Sequence, residues 1–173
     1  SDSSVDGVSF KQEGTNFTNS LLIGHATSGT LNAAEKNTGV GIQALDALTS
    51  GDKNTSIGYN SGTAITSGGN NTAVGKSALK TSSTGAQNTA LGKDALKLTT
   101  GSYNIALGYT AGSTISSGSG NVVIGDTDVD SASGSRQLLI AGYDGSTRTT
   151  WISGDNSGNV SVPANLNLSG SNK

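Results

Sequence analysis

Asp126-Thr127-Asp128-Val129-Asp130 sets three carboxylates at alternate positions, as the opening of a calcium-binding loop does. Such a loop continues to a glycine at its sixth position and a glutamate at its twelfth. Ser131 and Gln137 stand there instead, which excludes an EF-hand and leaves Asp126, Asp128 and Asp130 as candidates for a looser metal site. His25 is the one histidine and there is no cysteine, so a histidine cluster or a thiolate site cannot be assembled. Two carboxylates held at a fixed separation can cleave a glycosidic bond. The acids Asp126, Asp128, Asp130, Asp144 and Asp155 gather in a turn-rich end, and nothing in the sequence fixes a pair. No enzyme activity and no cofactor are expected.

Trp151 and Tyr143 are candidates for stacking on a sugar ring, and Tyr59, Tyr103 and Tyr109 for the same along the rest of the chain. With aromatics at 4% they are also the obvious hydrophobic anchors, and packing is the expected role of Trp151. Tyr59 and Tyr109 share one register, just after Gly58 and Gly108, and are expected outward or at a chain interface. Thr38, Thr55, Thr72 and Thr89 also recur in register, as in flat threonine arrays that order water at ice. Such arrays carry two threonines per coil; here there is one, ending at Ile105 and Val122, so β-propensity explains the column.

These residues sit on a repeat. Asn71-Thr72-Ala73-Val74-Gly75 returns at Asn37, Asn54, Asn88, Asn104 and Asn121, with a weaker first copy at Ser20-Leu21-Leu22-Ile23-Gly24. The closing glycines fall at 24, 41, 58, 75, 92, 108 and 125, a period of 17 with one step of 16. Fixed short periodicity is the mark of a stacked, quasi-one-dimensional fold. Coils starting near 20, 37, 54, 71, 88, 104 and 121 would rise roughly 30–35 Å at strand spacing.

The asparagines Asn37, Asn54, Asn71, Asn88, Asn104 and Asn121 are expected to form an internal ladder of amides. The aliphatic column Ile23, Val40, Ile57, Val74, Leu91, Leu107 and Ile124 reads as the core-facing ladder. The small column Leu22, Gly39, Ser56, Ala73, Ala90, Ala106 and Val123 then faces the other way, where a neighbouring chain approaches closely. In the second half of each coil an aliphatic recurs at Leu48, Ile65, Leu98 and Ile115, with Ser82 breaking the column. Segments such as Ala44-Leu45-Asp46-Ala47-Leu48 suit either one helical turn or a second strand. Glycine-ended Ser/Thr segments form the turns, and the missing residue belongs in the turn before Gly101.

The organisation is thus a lead-in over 1–19, a repeat array over 20–125 and a C-terminal β module over 126–173. In that module Leu138-Leu139-Ile140-Ala141-Gly142 echoes the first copy, and strands are expected at Thr149–Ile152, Asn159–Val162 and Asn165–Leu168. No initiator methionine is present and the end at Lys173 reads as a cut point, so a longer parent chain is expected. With 10 basic and 12 acidic residues there is no basic stripe for nucleic acid. The longest apolar runs are four or five residues, too short to insert in a membrane as a helix.

The repeated Asn-Thr-Ala-Val-Gly followed by Ala-Leu and a Ser/Thr-Gly turn resembles the glycine-rich repeats of phage tail fibres, including cyanophage ones. Asn19-Ser20-Leu21-Leu22-Ile23-Gly24 is similar to the repeat of trimeric autotransporter adhesin heads, though the period of 17 exceeds theirs. The stretch Trp151 to Val160 is similar to segments that follow such repeats in tail fibres. The resemblance covers roughly 19–168 and implies an all-β, repetitive β-solenoid or β-roll, homotrimeric, extracellular on a virion or, alternatively, on a bacterial surface. It implies a rigid spacer in host attachment, with a host receptor or glycan bound through this or a distal segment. The alternatives are a carbohydrate-binding or depolymerising tailspike and an ice-binding solenoid.

Overall fold

The computed structural model describes residues 2–5, 8–11, 17–24 and 31–162. His25, Pro163 and the strand expected at Asn165–Leu168 lie outside them. The described residues are all β, with no helix. The strands are β1 (Asp2–Val5), β2 (Val8–Lys11), β3 (Phe17–Thr18), β4 (Leu21–Ile23), β5 (Ala34–Glu35), β6 (Thr38–Val40) and β7 (Thr55–Ile57). They continue as β8 (Thr72–Val74), β9 (Thr89–Leu91), β10 (Ile105–Leu107), β11 (Val122–Ile124), β12 (Leu138–Tyr143), β13 (Arg148–Gly154) and β14 (Val160–Ser161).

From β4 to β12, β5 apart, each strand pairs in parallel and in register with the one a coil later, as in Thr72↔Thr89, Ala73↔Ala90 and Val74↔Leu91. The chain is a β-solenoid of about seven turns with coils of about 17 residues. Antiparallel partners close both ends: β1 and β2 precede β4, and β13 and β14 follow β12. β3 and β5 form a separate parallel pair.

A three-residue strand must point its middle residue one way and its flanks the other. The expected direction is reversed here. Leu22, Ser56, Ala73, Ala90, Ala106 and Val123 are fully buried inside the coil, whereas Ile57 is 41% and Leu91 49% exposed. Ile23, Val40, Val74, Leu107 and Ile124 lie part-exposed on that same outer face. The aliphatic ladder of Val40, Ile57, Val74, Leu91, Leu107 and Ile124 is therefore not the core column, and the small column is not a chain interface. The reason is volume. Across the coil from Ala73 and Ala90 stand the buried Leu79 and Leu96, which leave the strand room for a methyl group.

That interior is balanced coil by coil. Leu45, Gly62, Leu79, Leu96 and Gly112 occupy one wall position, and Leu48, Ile65, Ser82, Thr99 and Ile115 the next. Where the first is glycine the second is isoleucine, and where the first is Leu79 or Leu96 the second is small. Leu45 and Leu48 occur together, beside Gly39, whose missing Cβ makes room for Leu22. Thr99 is the buried residue in its coil and Leu98 is 49% exposed, so Leu98 does not belong to the column assigned to it. The wall segment is neither helix nor strand. It is a turn run with positive φ at every other residue, as at Gly75, Ser77 and Leu79.

Asparagine closes each coil. Asn71 Nδ2 donates to the Asn54 side-chain oxygen at 3.0 Å and to the Gly85 carbonyl at 2.9 Å. Its own Oδ1 accepts the backbone N–H of Asn88 at 3.0 Å and the Asn88 amide at 3.2 Å. The pattern starts at Ser20, whose Oγ accepts the Asn37 N–H at 2.7 Å, and ends at Gln137, whose N–H donates to Asn121 Oδ1 at 2.9 Å. Every member from Asn37 to Asn121 is buried, so each bond is made without competition from water.

Gln137 corrects the expected boundary at 125/126. Residues 126–136 do not break the array: Ser116 donates to the Ala132 carbonyl, and Arg136 to that of Ser119. Val122 pairs with Leu138 and Ile124 with Ile140, so Ala141, not Gly142, follows in the glycine column. That coil too is one residue short, and its Asn121 reaches Gly134 as Asn88 reaches Gly101, 13 residues on.

Candidate functional site

Asp126 and Asp128 are engaged in local structure. Asp126 accepts the Thr110 hydroxyl and pairs with Arg148 at 3.5 Å, and its carbonyl accepts from Arg148 Nε. This ties the β12–β13 hairpin to the last coils. Asp128 accepts the Ser113 hydroxyl at 3.1 Å and the Thr114 N–H at 2.9 Å, fastening the preceding coil. Asp130 lines a cleft with Ser131, Gly134 and Gln137. Among the described residues no group of three or more His, Cys, Asp or Glu side chains is placed to hold a metal ion. The asparagine amides face inward and are consumed by the ladder, so they present nothing to a ligand.

Two features face solvent. The first is the outer side of the parallel sheet. Its two columns run Thr38, Thr55, Thr72, Thr89, Ile105, Val122 and Val40, Ile57, Val74, Leu91, Leu107, Ile124, set side by side by the in-register pairing. The strip is three residues wide, about 10 Å. At its edge the residue after each corner glycine is exposed in turn as Ile42, Tyr59, Lys76, Lys93 and Tyr109. The Lys93 ammonium lies 4.6 Å from the Tyr109 ring centre and 3.2 Å from its hydroxyl. The period revealed these columns, but only the coil volume reveals that they point out.

The second feature brings Trp151 and Tyr143 together, as their sequence separation does not. Between Ile140↔Ile152 and Ala141↔Thr150 the pairing slips, leaving Trp151 without an opposite residue. The bulge re-aims its side chain. Trp151 lies over Gly142, where a Cβ would stand 2.8 Å from its Cη2. With Tyr143, Asp144, Thr147 and Thr149 these two line an open cleft of about 320 Å³. Trp151 is 54% and Tyr143 48% exposed.

Asp144 Oδ1 accepts the N–H groups of Ser146 and Thr147 at 2.9 and 2.8 Å. The bonds from Thr147 and then Ser146 hold its carboxyl below the ordinary value of 3.8. The sequence signal for this cleft was a glycine facing a tryptophan across a short hairpin, visible only once the register is known.

No protein-family model, curated protein or solved structure matches the chain.

Proposed function

We propose that the chain is a rigid structural segment of an extracellular attachment fibre, of the viral tail-fibre kind, which assembles as a homotrimer and spaces a distal tip from its base. The observation that carries the reading is the outward aliphatic column, continuous over the parallel strands and topped by Ile57 and Leu91. Contiguous apolar strips on a sheet face are covered in a working assembly. The two columns are uncharged and in register, so parallel copies turned about one axis would cover one another along the array. Three copies follow the resemblance to trimeric fibres. The stacked ladders supply stiffness, because each coil is fastened to the next by amides, turns and strand alike.

Light scattering on the purified chain tests this. A mass three times the 17.1 kDa of one chain is expected; a monomer at every concentration overturns it. One observation favours a second reading. Thr38, Thr55, Thr72 and Thr89 share the outer face with the aliphatic column, and a flat threonine-aliphatic face on a monomer is suited to ordering water. Thermal hysteresis in a monomeric sample would establish that reading in place of the first.

A further inference from the structure

We propose that the cleft between Trp151 and Tyr143 is a carbohydrate-binding site that takes a neutral hexopyranose ring on the open face of the Trp151 indole. The assignment stands on the hairpin and does not depend on the fibre reading.

One side of the indole is covered by the Gly142 backbone, and only glycine permits that approach. The bulge holds the ring away from the ladder, and more than half of its surface stays in water. Packing on Gly142 uses one side of the indole, and the other is a flat apolar face with polar groups beside it, which fits the C–H face of a sugar. Pyranose rings present patches of C–H bounded by hydroxyls that both donate and accept. The rim here matches. Thr147 and Thr149 bring hydroxyls of both capacities to the cleft. Asp144 lines the cleft with Oδ1 occupied by two backbone N–H groups, while Oδ2 makes no hydrogen bond to the described residues and keeps its capacity to accept from a ligand hydroxyl.

The site is also held in place before a ligand arrives. The Tyr143 hydroxyl donates to the Gly145 carbonyl at 2.9 Å, and the Arg148 guanidinium lies 5.6 Å from the Tyr143 ring centre. Arg148 is itself fixed by Asp126, which leaves the cleft with a carboxylate and no free cation among the described residues. That balance selects neutral sugars over uronic or sialic acids, and disfavours phosphate-bearing ligands. A small open cleft with few polar contacts gives weak single-site affinity, about millimolar. Repetition of the site on several copies would multiply it.

Trp151 is the single tryptophan, so its fluorescence reports the site directly. The full chain is titrated with gluco-, galacto- and manno-oligosaccharides, and with oligogalacturonate as the acidic arm. A saturable emission change with at least one neutral series, and none with oligogalacturonate, is expected. Trp151→Ala and Asp144→Asn, followed by saturation-transfer NMR on the sugar, should each weaken binding tenfold or more with the circular dichroism spectrum and the assembled mass unchanged. Absence of saturation with all neutral series overturns the proposal, as does undiminished binding by Trp151→Ala. Tighter binding of the acidic arm overturns the neutral class. If Trp151 resists acrylamide quenching in the assembled protein and Trp151→Ala lowers the mass, the cleft is a contact between copies and the proposal fails while the fibre reading stands.

Discussion

Asn71 donates twice to one atom of Asn54: its backbone N–H and its side-chain amide both reach Asn54 Oδ1, at 3.0 Å each. The same geometry recurs at every coil junction from Asn54 to Asn121. Asn71→Ala would leave the Gly85 carbonyl and the Asn88 N–H and amide short of partners in a dry interior. A loss of about 3 kcal/mol or more is expected, read from urea unfolding. Asn71→Asp should be worse than Ala, because it sets carboxylate oxygens against the Asn54 and Gly85 oxygens. Equal midpoints for wild type and Asn71→Ala would show that the ladder does not hold the coils.

Ser56 and Ser82 carry buried hydroxyls with no hydrogen-bond partner among the described residues. Ser56 also stands in a column that reads Ala73, Ala90 and Ala106 in later coils. Removing an unsatisfied buried hydroxyl without opening a cavity stabilises by about 1 kcal/mol. Ser56→Ala and Ser82→Ala should each raise the melting temperature, measured by calorimetry. A drop in either would mean that the hydroxyl is satisfied after all.

Much of this was legible in the sequence, because a repeat displays its constraints several times over. The period, the amide ladder and the shortening before Gly101 all followed from columns of identical residues. The direction of the strand faces did not. Alternation separates Ala73 from Val74 but does not say which looks inward, and both columns are apolar. The deciding quantity is the space left by Leu79 and Leu96 on the far wall, which exists only after the coil has closed. The rule that bulky aliphatics lie inside is one-way, since folded surfaces also carry apolar side chains. Likewise Leu138-Leu139-Ile140-Ala141-Gly142 looked like a full copy of the motif, because a second shortened coil had shifted the glycine by one. Gln137 was the overlooked clue, being an asparagine-column residue with a longer arm.

Gly75 and Gly145 separate two costs of adding a methyl group. Both have positive φ, at 131° and 96°. A Cβ on Gly75 would stand 2.5 Å from the Gly92 carbonyl oxygen, whereas one on Gly145 would meet nothing within 4 Å. Gly145→Ala should therefore cost about 1 kcal/mol, the backbone strain alone. Gly75→Ala should cost several times that, because the coils must part. Thermal denaturation of the two variants checks the ratio; similar losses would mean that the stack yields at its corners.

Acid should loosen the hairpin ends before the solenoid. The Asn159 side chain, then its N–H and that of Ser157, hold the Asp155 carboxyl below the ordinary value of 3.8, and Thr147 and Ser146 do so for Asp144. A lowered folded pKa means that the contribution is complete above the unfolded value and is lost as pH falls through the folded one. Between pH 7 and about 5 nothing should change. Below 3.8 the amides of Ser146, Thr147, Ser157 and Asn159 should lose protection relative to their intrinsic exchange rates, while those of Asn54 to Asn104 keep theirs, since amide ladders do not titrate. Hydrogen exchange followed by NMR resolves the two groups. Loss of protection in the ladder at the same pH would tie solenoid stability to carboxylates.

The two faces of the parallel sheet give the sharpest test of where the copies meet. Ala73 is buried inside the coil, and Leu91 is about half exposed on the outer face of the next strand. Ala73→Phe forces a ring into a space bounded by Leu79 and Leu96. Overpacking of that size should cost about 3 kcal/mol or more and unfold the central coils, seen as loss of the β circular dichroism signal. Leu91→Glu leaves the interior intact and sets a charge on the outer strip. It should keep the spectrum and the monomer fold while lowering the assembled mass to that of one chain, because an uncompensated charge in a desolvated contact is costly. Ile57→Glu should act in the same way. If Leu91→Glu and Ile57→Glu assemble as wild type does, the aliphatic column is not where the copies meet, and the fibre reading loses the observation that carries it.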